Sequence, residues 1–539
     1  MDFFNYKRRR SSEVGIGDLR LGGDNPVRLQ SMTNTPTADI EASVAQVVRI
    51  AREGADLVRL TTQGVREAAA MEGVRDGVRA AGVDVPLVAD VHFNPEAAFK
   101  AAETCDKVRI NPGNFADPVH RFEIIEYSDA DYLKELERLR SRLVPFLEKC
   151  RANSTAVRLG VNHGSLSDRI VSRYGDTSLG MAESLMEYLR ICHDEDFHNV
   201  VLSIKASNVI VMVETVRLLV RAMDAEGMAY PIHLGVTEAG NDDEGRIKSA
   251  VGIGTLLAEG IGDTIRVSLS EAPEREIPVA RLLRDYIMAR EGHPEIMAPE
   301  VGEGACRDRA SRIRGFEDVS YPLVEGYDFS LEDGAFFVDA SEQPAPMPDD
   351  VTPVVLSSSH VNAPGEMASW IERFVASGGR NPVVLRLRYD DASREAVIVK
   401  AAADFGVLLL NGYGSALRFE APALDKADRD GIALAILQAV RLRFSRPDYI
   451  ACPGCGRTLF DLESTLARIK EATSHLKGVK IGVMGCVVNG PGEMADADYG
   501  YVGAGPGRVS LYKGRTLIRK NIPESEAVEA LLALINSPS

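Results

Sequence analysis

The sequence lacks the features that mark several broad classes of protein. No apolar run is long enough to span a membrane, and no apolar stretch follows the basic residues 7–10, which disfavours a secretory signal. The seven cysteines are odd in number and four of them have no motif spacing, so we expect no disulfide framework. The net charge of −17 disfavours a nucleic-acid binder, which usually carries a basic face. We therefore expect a cytoplasmic protein that binds neither membranes nor nucleic acid.

The length and composition indicate a globular protein with more than one domain. The chain has 539 residues, of which 45% are hydrophobic, and its glycines and prolines are dispersed. An acidic chain repels anions at long range. A phosphate ligand would therefore need a local cluster of arginine and lysine side chains.

Short apolar strands alternate with amphipathic helical segments through the first half of the chain. This alternation is typical of a parallel sheet, and eight strand–helix units predict a closed (β/α)8 barrel of the TIM type over residues 1–292. The predicted strands are residues 27–32, 56–60, 86–90, 107–110, 156–161, 200–205, 231–236 and 263–268. The predicted helices include residues 39–53, 65–81 and 96–103.

A second region, residues 293–446, resumes the strand–helix pattern after a poorly patterned stretch. It indicates an inserted α/β domain that is TIM-like in its repeat, with one strand predicted at residues 406–410. Its strand ends offer little chemistry, so we interpret it as a structural spacer. The polar residues at those ends are His360, Arg386 and Arg388.

The last region, residues 447–539, differs in kind from the rest of the chain. It combines a cysteine motif with a helix predicted at 459–475 and a strand at 479–483. A hairpin at 508–517 and a closing helix at 524–535 follow. This mixture predicts a small α+β domain.

Polar side chains stand at the predicted carboxyl ends of the barrel strands. In (β/α)8 barrels this end carries the active site, and five of the eight predicted strands finish with a cation. Buried charges are costly unless they are paired or bind a ligand, and the planar fork of arginine fits phosphate. Taken alone, each cation could equally form a structural ion pair. As a set they predict a phosphate site formed by Arg59, Arg109, Arg158, Lys205 and Arg266, with Asp90 and Glu238 as groups that bind hydroxyls or transfer protons.

Three cysteines near the C-terminus have the spacing of a metal-cluster site. Cys452 and Cys455 form a C-x-x-C turn, and Cys486 lies in a later glycine-rich loop. Three thiolates can hold one face of a cubane iron–sulfur cluster, and Glu493 could supply an oxygen ligand to the fourth iron. Two alternatives stay open at this point. One is a structural zinc site, and the other is a thioredoxin-like redox pair that makes no use of Cys486.

Taken together, the motifs resemble one family, 4-hydroxy-3-methylbut-2-enyl diphosphate synthase of the non-mevalonate isoprenoid pathway. The matching stretches, in chain order, are QSMTNTPTAD, VRLTTQG, ADVHF, KVRINPGN, RLGVNHGSL, SIKAS, HLGVTEAG, GDTIRVSLS, ACPGCGRTLFDL and GCVVNGPGE. They cover the predicted barrel and the C-terminal domain. The unmatched middle region looks like the insertion of the long, three-domain form of the family.

The resemblance implies a reaction and a set of site residues. The reaction is the reductive ring opening and dehydroxylation of 2-C-methyl-D-erythritol 2,4-cyclodiphosphate to (E)-4-hydroxy-3-methylbut-2-enyl diphosphate, with two electrons delivered through a [4Fe–4S] cluster. Substrate binding would fall to Arg59, Arg109, Asn111, Arg158, Asn162, Lys205, Ser207, Arg266 and Ser268. Catalysis would fall to Glu238, Glu493, Asp90 and His163, and cluster ligation to Cys452, Cys455, Cys486 and Glu493.

The resemblance also implies partners and an arrangement of domains. Flavodoxin or ferredoxin would donate the electrons, and the C-terminal domain would resemble the cluster domains of sulfite and nitrite reductases. In the short form of the family, the cluster domain of one subunit completes the barrel of its dimer partner. The insertion at 293–446 is expected to let one chain close its own cluster domain over its own barrel, so the resemblance implies a monomer or a homodimer.

Overall fold

The structure, a computed structural model, divides the chain into two compact units. It describes residues 3–91, 94–117, 126–297, 316, 319–331, 334–487, 492, 494 and 496–537. The first unit, here the barrel–cysteine unit, comprises Arg10–Asn241, Gly262–Ala280 and Pro447–Ser539. The second, here the insertion unit, comprises Met1–Arg9, Asp242–Ile261 and Arg281–Arg446. The boundaries expected for three domains stay predictions.

A short antiparallel hairpin precedes the barrel and was not predicted. It consists of β1 (Val14–Ile16) and β2 (Leu19–Leu21), and three-residue strands are too short to show a clear alternation. Its buried side chains pack against residues at the starts of barrel strands, namely Leu57, Val88, Ala156 and Val201. The hairpin therefore fills the amino end of the barrel, opposite the end where the active site is expected.

Eight parallel strands close into a barrel, as the sequence predicted. They are β3 (Arg28–Met32), β4 (Leu57–Thr62), β5 (Leu87–Val91), β6 (Lys107–Ile110), β7 (Ala156–Asn162), β8 (Val200–Lys205), β9 (Ile232–Leu234) and β10 (Thr264–Ile265). Their order around the barrel follows the chain, and β10 pairs with β3 to close it. The last two strands are shorter than predicted, because the chain leaves the sheet early to form the loops of the mouth.

Helices alternate with the barrel strands along the chain, and the last of them follows β10. They are α1 (Ile40–Arg52), α2 (Val65–Ala80), α3 (Pro95–Ala101), α4 (Asp129–Ala152), α5 (Asp168–Tyr174), α6 (Ser178–Asp194), α7 (Val209–Ala225), α8 (Asp242–Ala258) and α9 (Glu276–Met288). Most begin at a side chain that accepts a hydrogen bond from a first-turn N–H. These caps are Asp39, Asn94, Ser128, Ser167, Thr177 and Asn208. Within the described residues, no helix combines the length and the apolar character needed to cross a bilayer.

The insertion unit contains an open parallel sheet. Its strands are β11 (Leu323–Val324), β12 (Phe336–Asp339), β13 (Val354–Ser357), β14 (Val383–Arg388) and β15 (Ala416–Glu420), in the spatial order β11-β15-β14-β13-β12. From β12 to β15 each strand lies beside the next, as in the barrel. The insertion unit therefore shares the strand–helix repeat of a TIM barrel, but its five described strands form an open sheet and not a closed barrel.

The strand predicted at residues 406–410 is wrong. Those residues are the last turns of a helix, α11 (Arg394–Leu410), which follows α10 (Ala363–Ala376) and precedes α12 (Lys426–Ala439). A short apolar run reads equally well as a buried strand or as part of a buried helix. Glycines at 412 and 414 end this helix, and the strand begins only at Ala416.

The C-terminal domain lies within the barrel–cysteine unit and is built on a mixed sheet. The strands are β16 (Asp448–Ala451), β17 (Lys480–Met484), β18 (Tyr499–Gly505), β19 (Arg508–Lys513) and β20 (Thr516–Pro523), in sequential order. The first three are parallel and the last two antiparallel. Two helices, α13 (Leu462–Thr473) and α14 (Glu524–Ile535), cover a core that includes Leu466, Tyr501 and Leu531.

Two helical glycines of the insertion unit should respond oppositely to alanine. A Cβ on Gly406 would lie 3.0 Å from the Cα of Val251 on α8, whereas a Cβ on Gly431 of α12 would meet nothing within 4 Å. Gly406→Ala should lower the free energy of unfolding by about 1–2 kcal/mol through overpacking. Gly431→Ala should raise it by up to about 1 kcal/mol through helix propensity. Urea titration of both variants checks this, and changes of the same sign would contradict the close α8–α11 packing.

Candidate active site

A cavity lies at the carboxyl end of the barrel, within the barrel–cysteine unit. It contains about 720 Å³ of space not occupied by atoms, including space open to solvent. Six cationic side chains and two carboxylates line it, together with the three cysteines of the C-terminal motif. The charged residues are Arg59, Arg109, Arg158, Lys205, Arg266, Arg457, Asp90 and Glu238. Sequence positions more than 400 residues apart thus meet in one cavity.

Asp90 holds two of the arginines in place. Its Oδ1 accepts a hydrogen bond from Nη1 of Arg109 at 3.0 Å, and its Oδ2 lies 3.8 Å from Nε of Arg59. Arg109 also donates to the carbonyl of Gly160 and to Oδ1 of Asn162. Burial lowers the pKa of Arg59 to about 10, against the opposing effect of Asp90. In this arrangement Asp90 orients cations.

Arg158 has donor capacity that the protein does not use. It is 1% exposed, its Nε donates to Oγ of Ser203 at 2.9 Å, and its Nη1 has no hydrogen-bond partner in the part of the chain that the structure describes. Burial, together with Arg59 and Arg109, lowers the pKa of Arg158 well below its usual range. An anion in the cavity would satisfy this donor and favour the charged form.

Arg266 is held by a carboxylate that the sequence did not single out. Glu276, at the start of α9, accepts from Nε and Nη2 of Arg266 at 2.9 and 2.8 Å. The same carboxylate accepts from Ser31 and from the backbone N–H of Leu269. Burial disfavours the charged form of Arg266, but Glu276 outweighs it and the pKa of Arg266 is raised. A bidentate pair of this kind fixes the direction of the guanidinium plane.

Glu238 occupies a strained position beside the cysteines. Its backbone has φ 49°, which few non-glycine residues adopt, and it is 3% exposed. Burial, Arg59 and Arg266 lower the pKa of Lys205, whereas Glu238 acts in the opposite direction on it. Glu238 also raises the pKa of Cys452, although burial is the larger cause. The carboxylate therefore lies within electrostatic range of both the lysine and the thiol.

The three cysteines converge on the cavity from two loops of the C-terminal domain. The N–H of Gly485 donates to Sγ of Cys452 at 3.3 Å, and Nε of Arg457 lies 3.4 Å from Sγ of Cys455. Soft thiolates with N–H donors aimed at sulfur suit iron–sulfur ligation. Within the described residues, no group of three or more His, Cys, Asp and Glu side chains is placed to hold a metal ion. Glu493, the predicted fourth ligand, lies outside the described residues.

Close backbone contacts hold the cysteine loops against the barrel mouth. A Cβ on Gly164 would lie 2.2 Å from the carbonyl oxygen of Gly492, and one on Gly456 would lie 2.6 Å from that of Thr35. Ser270 donates to the carbonyl of Cys452 at 2.8 Å. Only residues without a side chain permit this approach, so these glycines set the distance between cysteines and cations.

Three predicted site residues do not line the cavity. Asn111 joins two loops, since its Nδ2 donates to Ser165 and its Oδ1 accepts from the N–H of Gly113. His163 turns its Nε2 toward Asp176, at 3.8 Å. Ser207 is buried but is not part of the lining. The other predicted residues within the described part of the chain, Asn162 and Ser268 included, do line it.

Sequence reasoning missed several residues of this site. Arg457 follows Cys455 by two positions and was quoted only as part of a motif, although a cation beside thiolates is a usable signal. Met32 and Thr237 stand at the ends of predicted strands but were given no role, and no local pattern marks Thr458; all three line the cavity. The sequence around Glu276 does not indicate a site residue, because the role of Glu276 depends on its contact with Arg266 in the folded protein.

The chain matches two domains of one protein family and several named relatives. Residues 11–281 match the GcpE TIM-barrel domain and residues 448–537 match the GcpE protein C-terminal domain. The chain is 50% identical to the 4-hydroxy-3-methylbut-2-en-1-yl diphosphate synthase (flavodoxin) of Phocaeicola vulgatus, covering 100% of this chain and 99% of the relative. Proteins of the same name from Akkermansia muciniphila and Leptospira interrogans are 43% and 37% identical, covering 99% of this chain and 97% of each relative.

The chain belongs to the GcpE family. Membership confirms the resemblance that the ten sequence motifs carried, and with it the prediction that the chain is an enzyme. The GcpE relatives align with the whole chain, so they share the insertion that neither family domain covers.

Substitutions of Glu276 and Glu274 should show how differently a buried and an exposed ion pair stabilise this GcpE chain. Glu276→Gln should lower the free energy of unfolding by about 3–5 kcal/mol, because it leaves the buried Arg266 uncompensated. The matched control is Glu274→Gln, whose partner Arg49 is 53% exposed, and its loss should stay below about 1 kcal/mol. Denaturant titration measures both, and equal losses would refute the assigned role of Glu276.

Proposed function

We propose that the protein reduces 2-C-methyl-D-erythritol 2,4-cyclodiphosphate to (E)-4-hydroxy-3-methylbut-2-enyl diphosphate. The substrate takes up two electrons and two protons, its ring opens at a C–O bond, and one hydroxyl leaves as water. The observation that carries this proposal is the meeting of six cations with three cysteines in one cavity. The names of the GcpE relatives supply the product.

The cations of the barrel mouth hold the two phosphates. The buried Nη1 of Arg158 has no partner among the described residues, and Lys205 lies at the same mouth. Cations outnumber the carboxylates that line the cavity, which suits a ligand with several negative charges. Asn162 and Ser268 add neutral hydrogen-bonding groups, and Arg59, Arg109 and Arg266 complete the set. Asn111, Ser207 and His163 support this site from positions outside the lining.

Glu238 is the group that delivers a proton to the departing hydroxyl. It lies within electrostatic range of Lys205, which binds phosphate, and of Cys452. A carboxyl group that bridges these two sides can donate where the C–O bond breaks. Asp90 holds Arg59 and Arg109 rather than donating a proton itself.

Cys452, Cys455, Cys486 and Glu493 hold a [4Fe–4S] cluster. When bound, this group supplies single electrons and an iron with an exchangeable ligand. Arg457 lies against Cys455 and offsets negative charge on the thiolates. The glycine contacts between the cysteine loops and the barrel mouth exclude water from the space in which the bond breaks.

The electron donor is a flavodoxin, as in the names of the relatives. Such a donor places the reaction in the cytoplasm. One chain supplies both the cysteines and the barrel mouth of the cavity, so a monomer suffices and a homodimer is compatible with it.

Anaerobic reconstitution tests the proposed function. The protein should bind about four iron and four sulfide per chain and turn over the cyclodiphosphate with reduced methyl viologen. Cys486→Ser should lose most of both. Glu493→Gln should keep most of its iron and lose turnover, because its proposed site is the exchangeable position. A colourless protein with one zinc per chain would refute the proposal.

Substrate affinity should fall as the pH rises. Burial lowers the pKa of Lys205 well below its usual range, and a bound anion favours the charged form and raises that pKa again. Binding therefore takes up a proton between the two pKa values and weakens above the pKa of the free enzyme. Phosphodiesters of the cyclodiphosphate do not titrate there. Calorimetry from pH 7 to pH 10 measures the slope, and Lys205→Met should flatten it; an unchanged slope would exclude Lys205 as its source.

A further inference from the structure

The strands β19 and β20 form a strongly basic surface on the C-terminal domain, here called the basic hairpin, residues 508–523. Residues 447–539 contain ten Lys and Arg, and five of these lie in the hairpin. No Asp or Glu occurs between residues 499 and 523. The five cations are exposed, and they are Arg508, Lys513, Arg515, Arg519 and Lys520. In a chain of net charge −17, this is a local reversal of sign.

Most of this charge is not neutralised by the protein. Among the described residues, Arg515 is the one hairpin cation with an ion pair, 3.4 Å from Asp176. Arg508 donates to the carbonyl of Asn521 at 3.4 Å. The charges of Lys513, Arg519 and Lys520 therefore act on the solvent, and on any molecule that approaches.

The basic hairpin also exposes two adjacent apolar side chains. Leu517 is 43% exposed and Ile518 is 46% exposed, and successive residues of a strand face opposite sides of the sheet. Charged side chains on an edge strand protect a sheet against aggregation, which would explain the cations. It does not explain why an uncovered apolar side chain lies on each face of β20. An apolar side chain flanked by charged ones is typical of a transient protein interface.

The hairpin lies on the same sheet as the cysteines. Cys486 follows β17 by two residues, and β20 lies three strands away in the sheet. At a strand spacing of about 4.8 Å, this separation is roughly 14 Å. The path is compact, because a Cβ on Gly503 of β18 would lie 2.3 Å from the carbonyl oxygen of Gly485. Electrons that enter at the hairpin thus have a short, packed route to the cysteine loops.

We propose that the basic hairpin is the docking surface for the electron donor, a flavodoxin whose docking face carries carboxylates. This rests on the proposed function, which requires such a donor. Each docking event oxidises the reduced flavin by one electron and passes that electron to the cysteine domain, so one turnover needs two events. The positive hairpin steers the acidic donor past the repulsion of the acidic chain.

Charge reversal on β20 tests this surface. The variant Arg519→Glu/Lys520→Glu should weaken the binding of oxidised flavodoxin roughly tenfold or more at low salt, as measured by calorimetry. Its KM for reduced flavodoxin should rise by a similar factor. Neutralisation, as Arg519→Gln/Lys520→Gln, should give a smaller loss of the same kind. The wild-type KM should rise with salt, whereas that of the reversed variant should change little.

Two controls separate this proposal from the function on which it rests. Lys477→Glu reverses an exposed charge of the same domain outside the hairpin and should leave flavodoxin binding unchanged. Turnover with reduced methyl viologen bypasses docking and should be equal in all these proteins. Unchanged flavodoxin binding by the reversed variant would overturn the docking surface and leave the function intact. Absence of viologen-driven turnover in the wild type would refute the proposed function. The calorimetric measurement of flavodoxin binding would still test whether the basic hairpin is a docking surface.

Discussion

Uncompensated positive charge at the barrel mouth is the constraint on which the site depends. Arg158 and, one layer below it, Lys107 are fully buried, and each has a nitrogen without a hydrogen-bond partner among the described residues. Burying an unpaired cation costs several kcal/mol, so an anion at the barrel mouth would stabilise the charged form of Arg158. Asp90 and Glu276 fix the neighbouring arginines while leaving that excess. The closed barrel supplies the rigidity that this arrangement needs.

Much of the fold followed from periodicity, and the exceptions have physical causes. The barrel was predictable because eight apolar strands alternate with helical stretches, and bounds such as Lys107–Ile110 agree with the sequence reading. The strand predicted at 406–410 failed because GVLLL is apolar in every position and carries no period. The hairpin of β1 and β2 was missed because each strand has three residues, and its burial comes from the barrel rather than from local pattern.

The candidate site was predictable where chemistry and topology coincide. Cations at strand ends must meet at one rim, so Arg59 and Lys205 could be grouped without coordinates. Loop residues carry no such rule, which is why Asn111 was assigned to the substrate although its side chain joins two loops. Glu276 could not be predicted from sequence, because this helix residue belongs to the site only through its hydrogen bonds with Arg266. The sequence shows which chemical groups are present, and the packing of the fold determines which of them form hydrogen bonds and ion pairs with one another.

The hairpin of β1 and β2 limits the routes by which a ligand can reach the cavity. Val14, Ile16 and Leu21 fill the amino end of the barrel, so within the described residues the cavity lies between this packed end and the cysteine loops. Substrate and product of the proposed reaction would then pass the same carboxyl end. The close contacts at Gly164 and Gly456 lie at that end, so the proposed reaction requires them to separate or to leave space beside them.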